Sequence, residues 1–179
     1  MATISLADAV HLRARIQERI REFSEARARI ATIVVARGET PEPPTVTVDE
    51  YNRRISEAQA DFRMLDVAMA QLNLTHTLKW DNREVPLLEA LKIAKDTRQR
   101  IADLKVLGQR VKVSRARMGG YLDRGNADLL EVATYDPEVM QQQAEQLERQ
   151  VMRLSRMIDR KNEEVLFDYA PATQYMAFD

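Results

Sequence analysis

The sequence predicts a mainly α-helical protein, an elongated antiparallel bundle of coiled-coil-like helical hairpins with one small β-hairpin. Three observations predict it. Apolar residues recur at alternating steps of three and four along four separate stretches, which is the period of one helix face. The 5 glycines and 6 prolines of the 179 residues lie mostly between those stretches, where they would interrupt a helix least. Charged residues reach 31% while aromatic residues make up only 6%, which suits long surface-charged helices and excludes an all-β sandwich. A single helical domain is expected over residues 1–168, followed by an aromatic tail over 169–179.

The first helix is expected over about 5–36. Ser5 and Asp8 form the S-x-x-D pattern of a capping box, and Leu6, Ala9, Arg13, Ile16, Ile20, Phe23, Arg27, Ile30 and Val34 fall on one stripe. Arg13 and Arg27 interrupt that stripe, so each must reach solvent at its edge or meet a carboxylate of another helix. Residues 37–45, RGETPEPPT, contain one glycine and three prolines and read as a surface linker.

A second helix is expected over about 48–73, capped by Thr47 with Glu50. Tyr51, Ile55, Ala58, Phe62, Leu65, Met69 and Leu72 follow a strict four-three alternation, and the short connection makes the first two helices antiparallel neighbours. The period then changes. Thr75, Thr77, Leu78 and Trp80 precede Asp81-Asn82, a pair suited to a tight turn with positive φ, so a β-hairpin is expected over about 75–86.

The third helix, about 86–117, begins near Pro86 and carries a looser stripe through Leu87, Leu91, Ala94, Ile101, Leu104 and Leu107. A short strand is expected around Leu129 to Ala133. The fourth helix, about 136–167, takes Asp136 as its cap and Pro137 at its first position, with Met140, Ala144, Leu147, Val151, Leu154, Ile158 and Val165 on its seam and Lys161 as the polar exception.

Short matches in order along the chain resemble the septicolysin-like family of small bacterial helical proteins. They are Leu6-x-x-Ala9-Val10-x-Leu12-Arg13 with Gln17, then Gly38-Glu39-Thr40-Pro41-Glu42, Leu88-Glu89-Ala90-Leu91, and finally Leu154, Ile158 and Asn162. The resemblance spans most of residues 5–165. It departs at Asn73-Leu74-Thr75-His76-Thr77, where His76 replaces an asparagine, and at Lys95-Asp96, which replaces an Arg-Asp pair. The family name implies a pore-forming cytolysin, but the residues supply neither a secretory signal nor an apolar insertion segment.

Chemistry is sparse. With no cysteine, disulfides and thiolate catalysis are excluded. Asp8-x-x-His11 is the nearest approach to the Glu-x-x-His pairs of helical di-metal sites, and with two histidines in the chain there is no second pair. His76 is a loop histidine that could switch with pH, though such residues are more often solvated or hydrogen-bonded. No catalytic triad, phosphate-binding loop, cofactor or metal site is expected.

The strongest local signal is electrostatic. Residues 105–124 hold Lys105, Arg110, Lys112, Arg115, Arg117 and Arg124 against Asp123, a net +5, and Tyr121 adds an aromatic face, so nucleic-acid binding is one reading. Residues 126–148 carry six acidic side chains and no basic one, which favours neutralisation within or between subunits instead. Arg110, Lys112, Arg115 and Arg117 are thus candidate interaction residues, as are Tyr169, Tyr175 and Phe178 of the tail, which is expected to dock on a neighbouring subunit.

Helices of about 30 residues are about 45 Å long and expose more apolar length than two short hairpins can mutually cover, so a homo-oligomer is expected. The charges nearly balance at a net -1, no apolar run is long enough to span a membrane, and Arg13, Arg15 and Arg19 sit where a secretory signal would be apolar. A non-catalytic, self-associating cytoplasmic scaffold or binding protein is the leading expectation. Nucleic-acid association through residues 105–124 is the alternative, with membrane activity behind both.

Overall fold

The computed structural model describes residues 2–115 and 130–176. Its elements are β1 (Thr3–Ser5), α1 (Leu6–Ile30), α2 (Val48–Thr75), β2 (Thr77–Trp80), β3 (Arg83–Pro86), α3 (Leu87–Gly108), β4 (Val113–Arg115), β5 (Leu130–Val132), α4 (Pro137–Glu164), β6 (Leu166–Asp168) and the one-turn α5 (Ala172–Tyr175). The fold is mainly α, with three two-stranded antiparallel sheets, β1-β6, β2-β3 and β4-β5.

Helix starts follow the sequence. At α1 the Asp8 N–H donates to Ser5 Oγ at 3.0 Å and Asp8 Oδ2 accepts from the Ser5 N–H at 3.0 Å, a complete capping box. At α2 only half of the expected box forms. Thr47 accepts from the Glu50 N–H, but the Glu50 carboxylate turns outward to Arg53 and Arg54, whose guanidinium hydrogen bonds hold its pKa down at about 2. Asp136 caps α4 by accepting from the Glu138 N–H at 3.0 Å, with Pro137 in the first turn.

Three helix ends differ from expectation. α1 stops at Ile30 rather than at 36, because Ile33, Val34 and Val35 are β-branched and exposed, with no packing to offset their weak helix propensity. α3 stops at Gly108 rather than at 117, and the Val113–Arg115 stretch becomes β4, paired in register with β5. α4 stops at Glu164 rather than at 167, because Leu166–Asp168 pairs with Thr3–Ser5. The β-hairpin forms as expected, with Asp81 (φ 48°) and Asn82 (φ 61°) in the left-handed region that a type I′ turn requires.

Two antiparallel helix pairs organise the molecule. Contacts between α1 and α2 run in opposite sequence directions, with Arg13 against Asp66 and Arg27 against Asn52. Likewise α3 and α4 pair Arg98 with Ser155 and Lys105 with Glu148. One cluster packs Ala9, Leu12 and Ile16 of α1 on Ala58 and Leu65 of α2. A second gathers Leu6, Leu78, Val85, Leu87, Ala90, Leu154, Ile158 and Val165 where the two pairs meet, with Met69 and Leu72 of α2 at its edge. Backbone bonds lock this junction: the Leu6 N–H donates to the Val165 carbonyl at 3.0 Å and the Leu87 N–H to the His76 carbonyl at 2.8 Å.

Candidate interaction surfaces

Of the basic segment, Lys105, Arg110 and Lys112 find acceptors within the described residues. Lys105 on α3 meets Glu148 on α4, Arg110 reaches Glu131 of β5 at 3.5 Å, and Lys112 Nζ donates to the Tyr135 carbonyl at 2.7 Å. The Tyr135 hydroxyl in turn donates to the Leu107 carbonyl at 3.1 Å, tying the β4-β5 side of this region to the end of α3. Arg110 and Lys112 therefore lie in the loop after α3, and Arg115 on β4, instead of on one helix face. Arg117 and Tyr121 lie outside the described residues.

Residues 169–176 dock on α1 and α2 of their own chain, where the sequence leads one to expect a neighbouring subunit. Tyr169 is buried, and its hydroxyl donates to the Asp61 carbonyl of α2 at 2.8 Å; the Tyr175 hydroxyl donates to the Asp61 carboxylate at 2.8 Å. Arg15 closes the arrangement by donating to the Tyr175 carbonyl at 3.3 Å. Burial, with the nearby Asp61 charge adding to it, pushes the Tyr169 phenol up to about 12. The Tyr175 phenol is raised as well, by burial first and then by its bond to Asp61. Phe178 lies outside the described residues.

The polar seam residues also find partners within the chain. Arg13 meets Asp66 at 2.8 Å and lies over the Phe62 ring, Arg27 donates to Asn52 at 2.7 Å, and Lys161 reaches Glu164 of its own helix at 3.5 Å. The histidines take structural or exposed positions. Asp8 is engaged by Ser5 and His11 is exposed, while His76 Nδ1 lies 3.1 Å from the Leu72 carbonyl at the end of α2. Among the described residues no group of three or more His, Asp or Glu is placed to hold a metal ion, and no helix is long and apolar enough to cross a membrane.

Two exposed surfaces have no counterpart in the sequence expectations. On α2, Met64, Val67 and Leu74 are each more than half exposed and lie opposite the seam of Ile55, Ala58 and Leu65, giving this helix a second apolar stripe. On α4, Arg149, Arg153, Arg156 and Arg160 follow steps of four, three and four and line an open groove with Met152 and Met157. The same three-four count that finds seams finds this row, but it has to be applied to arginines.

The chain matches no family profile and no curated protein. It is similar in structure to a functionally unknown conserved protein from Corynebacterium diphtheriae, with a TM-score of 0.69 at 17% sequence identity over 93% of this chain and 100% of that one. At that identity the likeness concerns the fold.

Proposed function

We propose that this chain is a cytoplasmic, non-catalytic helical scaffold that associates with itself. The observation that carries the reading is the exposed apolar stripe on α2. The outer stripe of α2, with Met64 at 53%, Val67 at 57% and Leu74 at 56% exposure, supplies apolar area of the kind that oligomer interfaces cover. The aromatic residues Tyr169 and Tyr175 are engaged within the chain through Asp61.

The septicolysin-like resemblance belongs to the same proposal. Of its landmarks, Leu6, Ala9, Leu12, Ala90, Leu154 and Ile158 are buried in the helix seams while Val10, Leu88 and Leu91 are exposed, and none of them carries an activity. Nucleic-acid association through residues 105–124 remains the alternative; within it Lys105, Arg110 and Lys112 each have an acceptor nearby, while Arg117 and Arg124 lie outside the described residues. Light scattering at micromolar concentration tests the reading: the intact chain is expected as an oligomer and the Met64→Glu/Val67→Glu variant as a folded monomer. A monodisperse intact monomer of 20.6 kDa overturns it.

A further inference from the structure

From the row Arg149, Arg153, Arg156 and Arg160 on the solvent face of α4, we infer that this helix is a sequence-independent contact for the phosphate backbone of nucleic acid. All four side chains are exposed. Among the described residues, Arg160 alone of the four meets a carboxylate, Glu164 at 3.2 Å. Like charges at steps of three and four repel, at about 0.2–0.5 kcal/mol per pair in an isolated helix. A solvated surface gains nothing from repeating that arrangement three times.

The neighbourhood extends the basic face. The Arg153 guanidinium lies 5.2 Å from the Trp80 ring centroid, so the β2-β3 hairpin flanks the row with an aromatic residue. Lys79 of β2 lines the adjoining groove with Arg160 and Lys161, where Glu84 and Glu164 are the acidic members. Asp159 and Glu163 lie exposed toward the end of α4 and limit the basic run there.

Geometry favours a phosphate backbone over other anionic partners. The row spans about 16 Å along the helix axis, a length over which a duplex, at about 3.4 Å of axial advance per base pair, presents several phosphates. Each guanidinium can donate two parallel hydrogen bonds to a phosphate and stays charged at every working pH. A membrane surface is a poorer fit, because an interfacial helix needs an apolar face to insert, and on α4 that face, Ala144, Leu154 and Ile158, is buried in the protein. The inference does not depend on self-association.

Fluorescence anisotropy with a labelled 25-nucleotide probe, single- and double-stranded, tests it between 50 and 200 mM salt. Four phosphate contacts on a duplex predict a loss of affinity of about 100-fold across that range. The Arg149→Gln/Arg153→Gln/Arg156→Gln/Arg160→Gln variant is expected to lose this binding while keeping the wild-type helical circular dichroism and melting temperature. Arg149→Gln/Arg156→Gln is expected to keep about half of the salt slope, and Arg110→Gln/Lys112→Gln to keep all of it. The inference is overturned if the intact protein does not bind at 50 mM salt, if the folded fourfold variant binds with an unchanged slope, or if the protein takes up only vesicles containing phosphatidylserine.

Discussion

Tyr175 donates its hydroxyl to the carboxylate of Asp61 at 2.8 Å, and Tyr169 donates to the carbonyl of the same residue at 2.8 Å, so one position on α2 anchors both tyrosines of the C-terminal segment. The two bonds differ in kind. The first is to a charge and the second to a backbone group that has further partners within its helix. This anchoring lets β6 stay paired with β1, and through it the N-terminal segment that leads into α1.

Loss of these phenols should loosen the segment. Tyr175→Phe is expected to cost about 1–2 kcal/mol, the range for a hydrogen bond to a charged acceptor at a partly solvated site, and Asp61→Asn less, since an amide oxygen still accepts. Thermal melting measures both. Equal stability of Tyr175→Phe and the intact chain would show that the segment is held by its apolar contacts alone.

Alkali should release the same segment. Both phenols are raised above the unfolded value of about 10, so their contribution is complete below that pH and is lost as pH rises toward the Tyr169 value of about 12. Absorbance at 295 nm is expected to show late-titrating tyrosines in the folded protein. Titration of all 5 tyrosines in one step near 10 would contradict this.

Ser5→Ala removes a cap and a pH dependence together. It is expected to cost about 1 kcal/mol at neutral pH. The Ser5 side chain and then its N–H hold the Asp8 pKa below its ordinary value, so the stabilisation exists above about pH 4 and disappears as pH falls through the lowered value. Denaturant melts at pH 7 and pH 3 should therefore differ more for the intact protein than for Ser5→Ala.

Gly108 ends α3 against α4, where an added methyl group would lie 3.1 Å from the Gln141 backbone nitrogen and 3.2 Å from its Cα. Backbone cannot swing aside as a side chain can. Gly108→Ala is expected to lower stability by about 1–2 kcal/mol despite alanine's better helix propensity. A stabilised Gly108→Ala would mean that the two helices separate easily at this end.

The junction should be the most stable part of the molecule. Leu154→Ala removes a fully buried side chain from the cluster that joins the two helix pairs and is expected to cost about 2–5 kcal/mol, whereas Ile30→Ala at the half-buried end of α1 should cost less than half as much. Amide exchange should follow the same gradient, slow around Leu6, Leu87 and Leu154 and fast near Ile30 and Val48.

The sequence by itself determined which segments are helical and where most of them begin, because the three-four period, the Ser5-Asp8 box, and Asp136-Pro137 act within a few residues. It also determined the hairpin turn at Asp81-Asn82, since only a few residue types accept positive φ. Tertiary structure decided where helices stop: Leu166–Asp168 leaves the helix of α4 because its backbone finds β1, some 160 residues earlier, and Val113–Arg115 leaves α3's path because β5 is there to pair with it. It also decided the role of each charge. Arg110 and Lys112 look available in sequence but meet Glu131 and Tyr135, while the row from Arg149 to Arg160 faces solvent, because acceptors that are distant in sequence can be counted only once the chain has folded.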